Sequence, residues 1–146
     1  LEIGIIDGAC EHCEAADTAA LKGIVARENA AIQSGDRSGA IRLAGEFHVE
    51  LARVARNRPI QELLRQLVAQ SSLALALYEA PGHLLCVDDD HIDIITAVSA
   101  GDAAKSRDLM AKHLAKAEAE MKLEAPEDNN DLKSVFADVI DARAGV

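Results

Sequence analysis

Residues 90–114 read DHIDIITAVSAGDAAKSRDLMAKHL, and this stretch decides the fold. Before Gly101, the residues Val87, His91, Ile94 and Val98 recur at helical spacing; after it, Met110, His113, Ala117 and Met121 do the same. Gly101-Asp102 reads as a helix stop followed by a new N-cap, so the spacing predicts two helices folded back on each other. His91 lies ten residues before Gly101 and His113 twelve after it. At about 1.5 Å of rise per residue both rings stand roughly 15 Å from the turn, facing each other across an antiparallel hairpin.

Working outward, His48 sits on a third apolar stripe with Ile41, Ala44, Leu51 and Ala55. All three imidazoles are therefore expected to point inward. Neutral imidazoles converging from facing helices can bind Zn²⁺, Ni²⁺ or a related divalent ion. The alternative is three unrelated core histidines, each satisfied by its own backbone partner.

The remaining elements also read as helices. The spacing predicts helices over about Glu2–Cys13, Ala16–Ser34, Arg37–Ala55 and Pro59–Tyr78, one opened by Asp88-Asp89-Asp90, and one extending from Gly101-Asp102 to about Leu123. In the helix from Pro59, Ile60, Leu63, Leu64, Leu67, Ser71 and Leu75 mark a candidate central element. Leu132, Val135, Phe136, Val139 and Ile140 give a short amphipathic helix after the Pro126 linker. The expected organisation is thus a helical domain over 1–124, then linker and terminal helix over 125–146.

Composition agrees with an all-α antiparallel bundle of six to seven helices. Hydrophobic residues make up 49% of the 146 and aromatics only 2%, which disfavours strands. A net charge of -10 opposes direct binding of phosphate backbones. No apolar run approaches membrane-spanning length, so no membrane partner and a cytoplasmic location are expected. The start at Leu1 rather than methionine fits a processed protein or an excised fragment. Cys10, Cys13 and Cys86 are an odd number; Cys10 and Cys13 continue the Ile3, Ile6 stripe and read as small helix-core residues rather than as a zinc or redox pair. The Asp88-Asp89-Asp90 triplet lacks calcium-loop spacing and reads as a solvated acidic cap, and His83 as an exposed loop residue.

Two stretches carry a family resemblance. EFHVELARVARNRPIQELLRQL at 46–67 and the hairpin at 90–114 resemble, in order and spacing, the FadR C-terminal (FCD) domain of GntR-family bacterial transcription regulators. The likeness covers about Leu1 to Leu123. It implies a helical bundle that senses a small organic or sugar acid and acts as a homodimer. DNA would be bound only through an N-terminal winged helix-turn-helix, which this chain does not contain. It also implies a divalent metal, Zn or Ni, held by three histidines and one aspartate, the matching histidines being His48, His91 and His113. The sequence departs from the family twice. Ala44 stands where the aspartate belongs, and Glu46, two residues from His48, points about 200° around the helix and cannot replace it. His12, in ACEHCEAADTAAL at 9–21, stands where an arginine is usual. His12, Arg53 and Asn57 are candidate effector contacts.

The leading expectation is therefore a ligand-sensing, dimerising regulator domain that is not an enzyme. A metal-dependent hydrolase is disfavoured because no carboxylate base is evident beside the histidines. A helical scaffold with merely packed histidines is the third reading.

Overall fold

The computed structural model describes residues 1–78 and 90–120, with side chains up to 72 and from 90 to 119. Among the described residues there are six helices and no strands: α1 Glu2–His12, α2 Ala15–Gln33, α3 Arg37–Val54, α4 Arg58–Tyr78, α5 Asp90–Ser99 and α6 Ala103–Glu120. No helix among the described residues is long and apolar enough to cross a membrane. The expected last helix at 132–140, His83 and Cys86 lie outside the described residues.

Local chemistry places the helix ends. Gly35 and Gly101 take φ of +75° and +72°, which glycine adopts without a Cβ clash, and each ends a helix. Asp36 then accepts from the Gly39 N–H at 2.9 Å to open α3, and Asp102 accepts from the Lys105 N–H at 3.0 Å to open α6. Glu14 and Asp17 form a reciprocal capping box at the start of α2. The expected α5–α6 hairpin about Gly101-Asp102 is thus present, hinged where the sequence indicates.

The core is organised around α3, which packs against α1, α2 and α4, while α1 also meets α5 and α6, and α2 meets α5. Ten residues of α3 are buried, among them Phe47, Leu51 and Ala52 with no exposure at all. They join Ile5, Ile6, Leu21, Ile94, Ile95, Val98 and Met110 in one apolar cluster. Cys10 and Cys13 are half-buried free thiols packed on its edge.

One element differs from expectation among the described residues. There α4 is not central: it packs chiefly on α3, burying Leu64, while Leu63 and Leu67 are 43% and 39% exposed. Its close approach to α3 depends on Gly45, where a Cβ would stand 2.3 Å from Val68 Cγ1. The repeat fixes a helix with an apolar stripe, but only part of that stripe meets its neighbour.

Candidate metal centre

Three helices deliver one imidazole each to a single buried point. α3 presents His48, α5 presents His91 and α6 presents His113, all buried. His91 Nε2 lies 3.2 Å from His113 Nε2, which lies 3.3 Å from His48 Nε2. The potential ligand atoms of the three rings all fall within 4.8 Å of one another. The hairpin depth argument and the inward stripe of α3 therefore meet in one cluster.

The rings are held by packing. Phe47 stacks on His91 with centroids 4.1 Å apart at 28°, and His48 stacks on His113 at 5.2 Å and 27°. Met110, Ile94 and Leu51, each one helical turn from a cluster histidine, are fully buried beside them. Burial, reinforced by the neighbouring rings, holds His48 well below the usual imidazole range. His113 is lowered to about 4, first by burial and then by His91, with Asp90 opposing. Both are consequently neutral at pH 7, the state in which an imidazole has a lone pair to donate.

Each Nδ1 faces a carboxylate. His91 Nδ1 is hydrogen-bonded to Glu28 Oε2 at 3.0 Å, a pair with side chains only 3% and 2% exposed. Glu2 Oε1 lies 3.3 Å from His48 Nδ1, and Asp90 Oδ2 lies 3.7 Å from His113 Nδ1. These last two are electrostatic contacts without hydrogen-bond alignment. Asp90 also approaches Lys116 Nζ at 3.5 Å, so the residue read as part of a solvated cap faces the cluster instead. Burial pushes the Glu2 carboxyl up from its ordinary value.

Carboxylates therefore do stand beside the histidines, contrary to the sequence reading, but on their outer edges. Among the described residues the only cluster of metal-ligating type is the three histidines themselves. Glu28 had a legible signal: it lies seven residues after Leu21 and four before Ile32, an acid inside the apolar stripe of α2. Asp90 adjoins His91 in sequence, and only the hairpin brings it to His113. Glu2, in the first turn of α1, has no comparable signal.

The donor set fits a divalent transition ion. Where each Nδ1 carries its hydrogen toward a carboxylate, three Nε2 lone pairs face one point and a cation relieves their repulsion; without an ion, an Nε2 hydrogen shared by His113 with His91 or His48 does so. The 3.2 and 3.3 Å spacings from His113 match the edges of a coordination shell, which are roughly 3.4 Å for a tetrahedral ion with bonds near 2.1 Å and roughly 3.0 Å for an octahedral one. Ala44 stands half-buried one turn before His48 and offers no ligand. Glu46 turns to the surface, as its offset from His48 requires, and pairs with Arg27 at 3.0 Å and Arg42 at 3.2 Å.

The candidate effector contacts lie elsewhere. His12 ends α1, roughly 15 Å along the helix from Glu2, which touches the cluster. The Arg53 guanidinium binds Asp17 at 2.5 Å and Glu50 at 2.8 Å. Asn57 caps α4, its Oδ1 accepting from the Ile60 N–H at 3.2 Å. A groove of about 480 Å³ between α3 and α4, lined by residues including Ile41, Arg42, Gly45, Arg65 and Val68, contains none of the three histidines.

Comparison with known proteins gives one family. The model of the FCD domain matches residues 1–116, spanning all three histidines. A search of curated proteins found no match.

Proposed function

The chain belongs to the FCD domain family, and from that premise we propose that it is the ligand-sensing and dimerisation domain of a GntR-family, FadR-subfamily transcription regulator. The observation that carries the reading is the convergence of three buried imidazoles through their Nε2 atoms. Three rings from three helices brought to ligand spacing around one buried point support a metal site over three separately satisfied core histidines.

His48, His91 and His113 would hold the ion, Zn²⁺ or Ni²⁺. Such an ion supplies a positive charge with open positions at which a carboxylate can be gripped. The absence of an acid at position 44 leaves one such position to water or to an effector carboxylate. The effector class is accordingly a small organic acid. The protein's part is to fix the rings: Phe47 and the stacked His48–His113 pair set their planes, and the apolar residues of α3, α5 and α6 exclude bulk water. Effector binding that favours one arrangement of a homodimer would alter the DNA affinity of a separate domain by linkage. The reading includes no catalytic role.

A thermal-shift screen of small mono- and dicarboxylates, with and without Zn²⁺ or Ni²⁺, tests this directly. The expected result is one ion per chain, a higher midpoint on metal addition, and a further rise with a subset of acids only when metal is present. His113→Ala should abolish both responses. Metal stoichiometry unchanged in His113→Ala would overturn the ligand assignment, and sedimentation as a monomer at micromolar concentration would overturn the dimer.

A further inference from the structure

The carboxylates behind the histidines differ in kind from one another. Glu28 is 2% exposed, on a helix whose other inward residues are Leu21, Ile24, Val25 and Ala31, and its partner is His91 Nδ1 at 3.0 Å. A carboxylate so deeply placed is costly to bury unless it is matched by hydrogen bonds and positive charge. Glu2 and Asp90 are more exposed, at 14% and 33%, and lie at looser distances from their rings.

We infer that Glu28 is the positioning residue of this centre. It fixes His91 as the Nδ1–H tautomer, aims the Nε2 lone pair at His48 and His113, and supplies from behind the ring the negative charge that Ala44 does not supply in front. The inference rests on the metal reading for its second half, but the tautomer stands by itself.

Three observations support it. A carboxylate oxygen accepts, so the 3.0 Å contact assigns its hydrogen to Nδ1 and leaves Nε2, the atom 3.2 Å from His113, as the ligand end of the ring. Phe47 stacks on the same ring, so orientation is set by packing on one face and by Glu28 at one edge. Where the ligand set is three neutral nitrogens, a divalent charge in an apolar core has no neutralising partner among its ligands, and the buried Glu28 is the nearest acid held by a true hydrogen bond.

Two measurements on the full chain test this. In the metal-free wild type, the ¹⁵N shifts of His91 should show a protonated, pyrrole-like Nδ1 and a pyridine-like Nε2; a protonated Nε2 would overturn the assignment. That readout needs neither metal nor a variant, so it separates failure of this inference from failure of the metal reading. Next, Zn²⁺ affinity by competition with a chelating dye should fall roughly 10- to 100-fold in Glu28→Gln and at least as far in the apolar Glu28→Met. The visible spectrum of the Co²⁺-loaded protein should shift in both. The exposed control Glu62→Gln should match wild type. Wild-type Zn²⁺ affinity in folded Glu28→Gln and Glu28→Met would show that Glu28 only packs.

Discussion

α3 and α4 are neighbours of similar length and similar amphipathic pattern, yet they do different things. α3 meets three other helices and buries ten residues; α4, between residues 58 and 72, fully buries only Leu64 and rests chiefly on α3. A stripe of apolar residues records that a helix has an inner face. It does not record how many partners that face has. The consequence for function is positional: an imidazole on α3 can be surrounded by α1, α5 and α6, whereas, among the described residues, a side chain on α4 meets little besides α3. The polar chemistry accordingly sits where desolvation is deepest.

The comparison is most exposed to a cavity at the middle of α3. Phe47 is fully buried and stacks on His91, so Phe47→Ala should cost about 3–5 kcal/mol of stability in urea unfolding. It should also loosen the ring it covers, so metal uptake should weaken in the variant. A loss below about 1.5 kcal/mol would mean that the bundle closes around the gap and that α3 is not the packing centre it resembles here.

Acid should act on the same region. His113 titrates near 4 when folded and near 6.5 when unfolded, so between those values the unfolded chain binds more protons. His48, also depressed, adds in the same direction. Stability of the metal-free protein should therefore be full above about pH 6.5 and decline as pH falls toward 4. The His113 contribution is on the order of 3 kcal/mol. Chemical denaturation at stepped pH measures it, and His113→Phe should flatten the slope. An equal slope in wild type and variant would show that the decline comes from carboxylates instead.

The contrast between the two helices also explains what the sequence could disclose. The helices, their ends at Gly35 and Gly101, and the depth of His91 and His113 follow from local periodicity and caps, which are properties of short segments. The convergence of His48 with the other two needs α3 to lie against the α5–α6 side of the bundle, which periodicity permits and the family likeness supplies. Glu28 was visible as an acid among Leu21, Ile24 and Ile32, but its purpose depends on α5 crossing α2 at His91. Asp90 was visible only as part of an acidic triplet. That α4 meets chiefly α3 among the described residues was not legible at all, because Ile60, Leu63, Leu64 and Leu67 would read the same with one neighbour or three.

A smaller effect is expected on the inner face of α3 itself. Ala44 lies one helical turn before His48, half-buried, where an acid would add a fourth, negatively charged ligand. Ala44→Asp should tighten Zn²⁺ or Ni²⁺ binding about tenfold or more, equivalent to roughly 1.4 kcal/mol. In the absence of metal the same variant should be less stable than wild type, since the new carboxylate is then desolvated without a partner. A folded variant with unchanged affinity would place the ion, and hence the cluster's open side, away from residue 44.

The least effect belongs to the outer face of α4, and its smallness is what makes it informative. Leu63 and Leu67 are one turn apart and 43% and 39% exposed, so replacing either by glutamine removes little buried apolar area and preserves helix propensity. Each substitution should change unfolding free energy by no more than about 0.5 kcal/mol, against the several expected at Phe47. Equilibrium denaturation of Leu63→Gln, Leu67→Gln and the double variant, each at two protein concentrations, provides the measurement. Losses above about 1.5 kcal/mol that grow with protein concentration would mean that a second copy covers this face in solution. Losses of that size without concentration dependence would assign the cover to the chain's own residues outside 1–78 and 90–120. Near-neutral values at both concentrations would confirm α4 as an edge helix, with α3 alone between it and the histidine cluster.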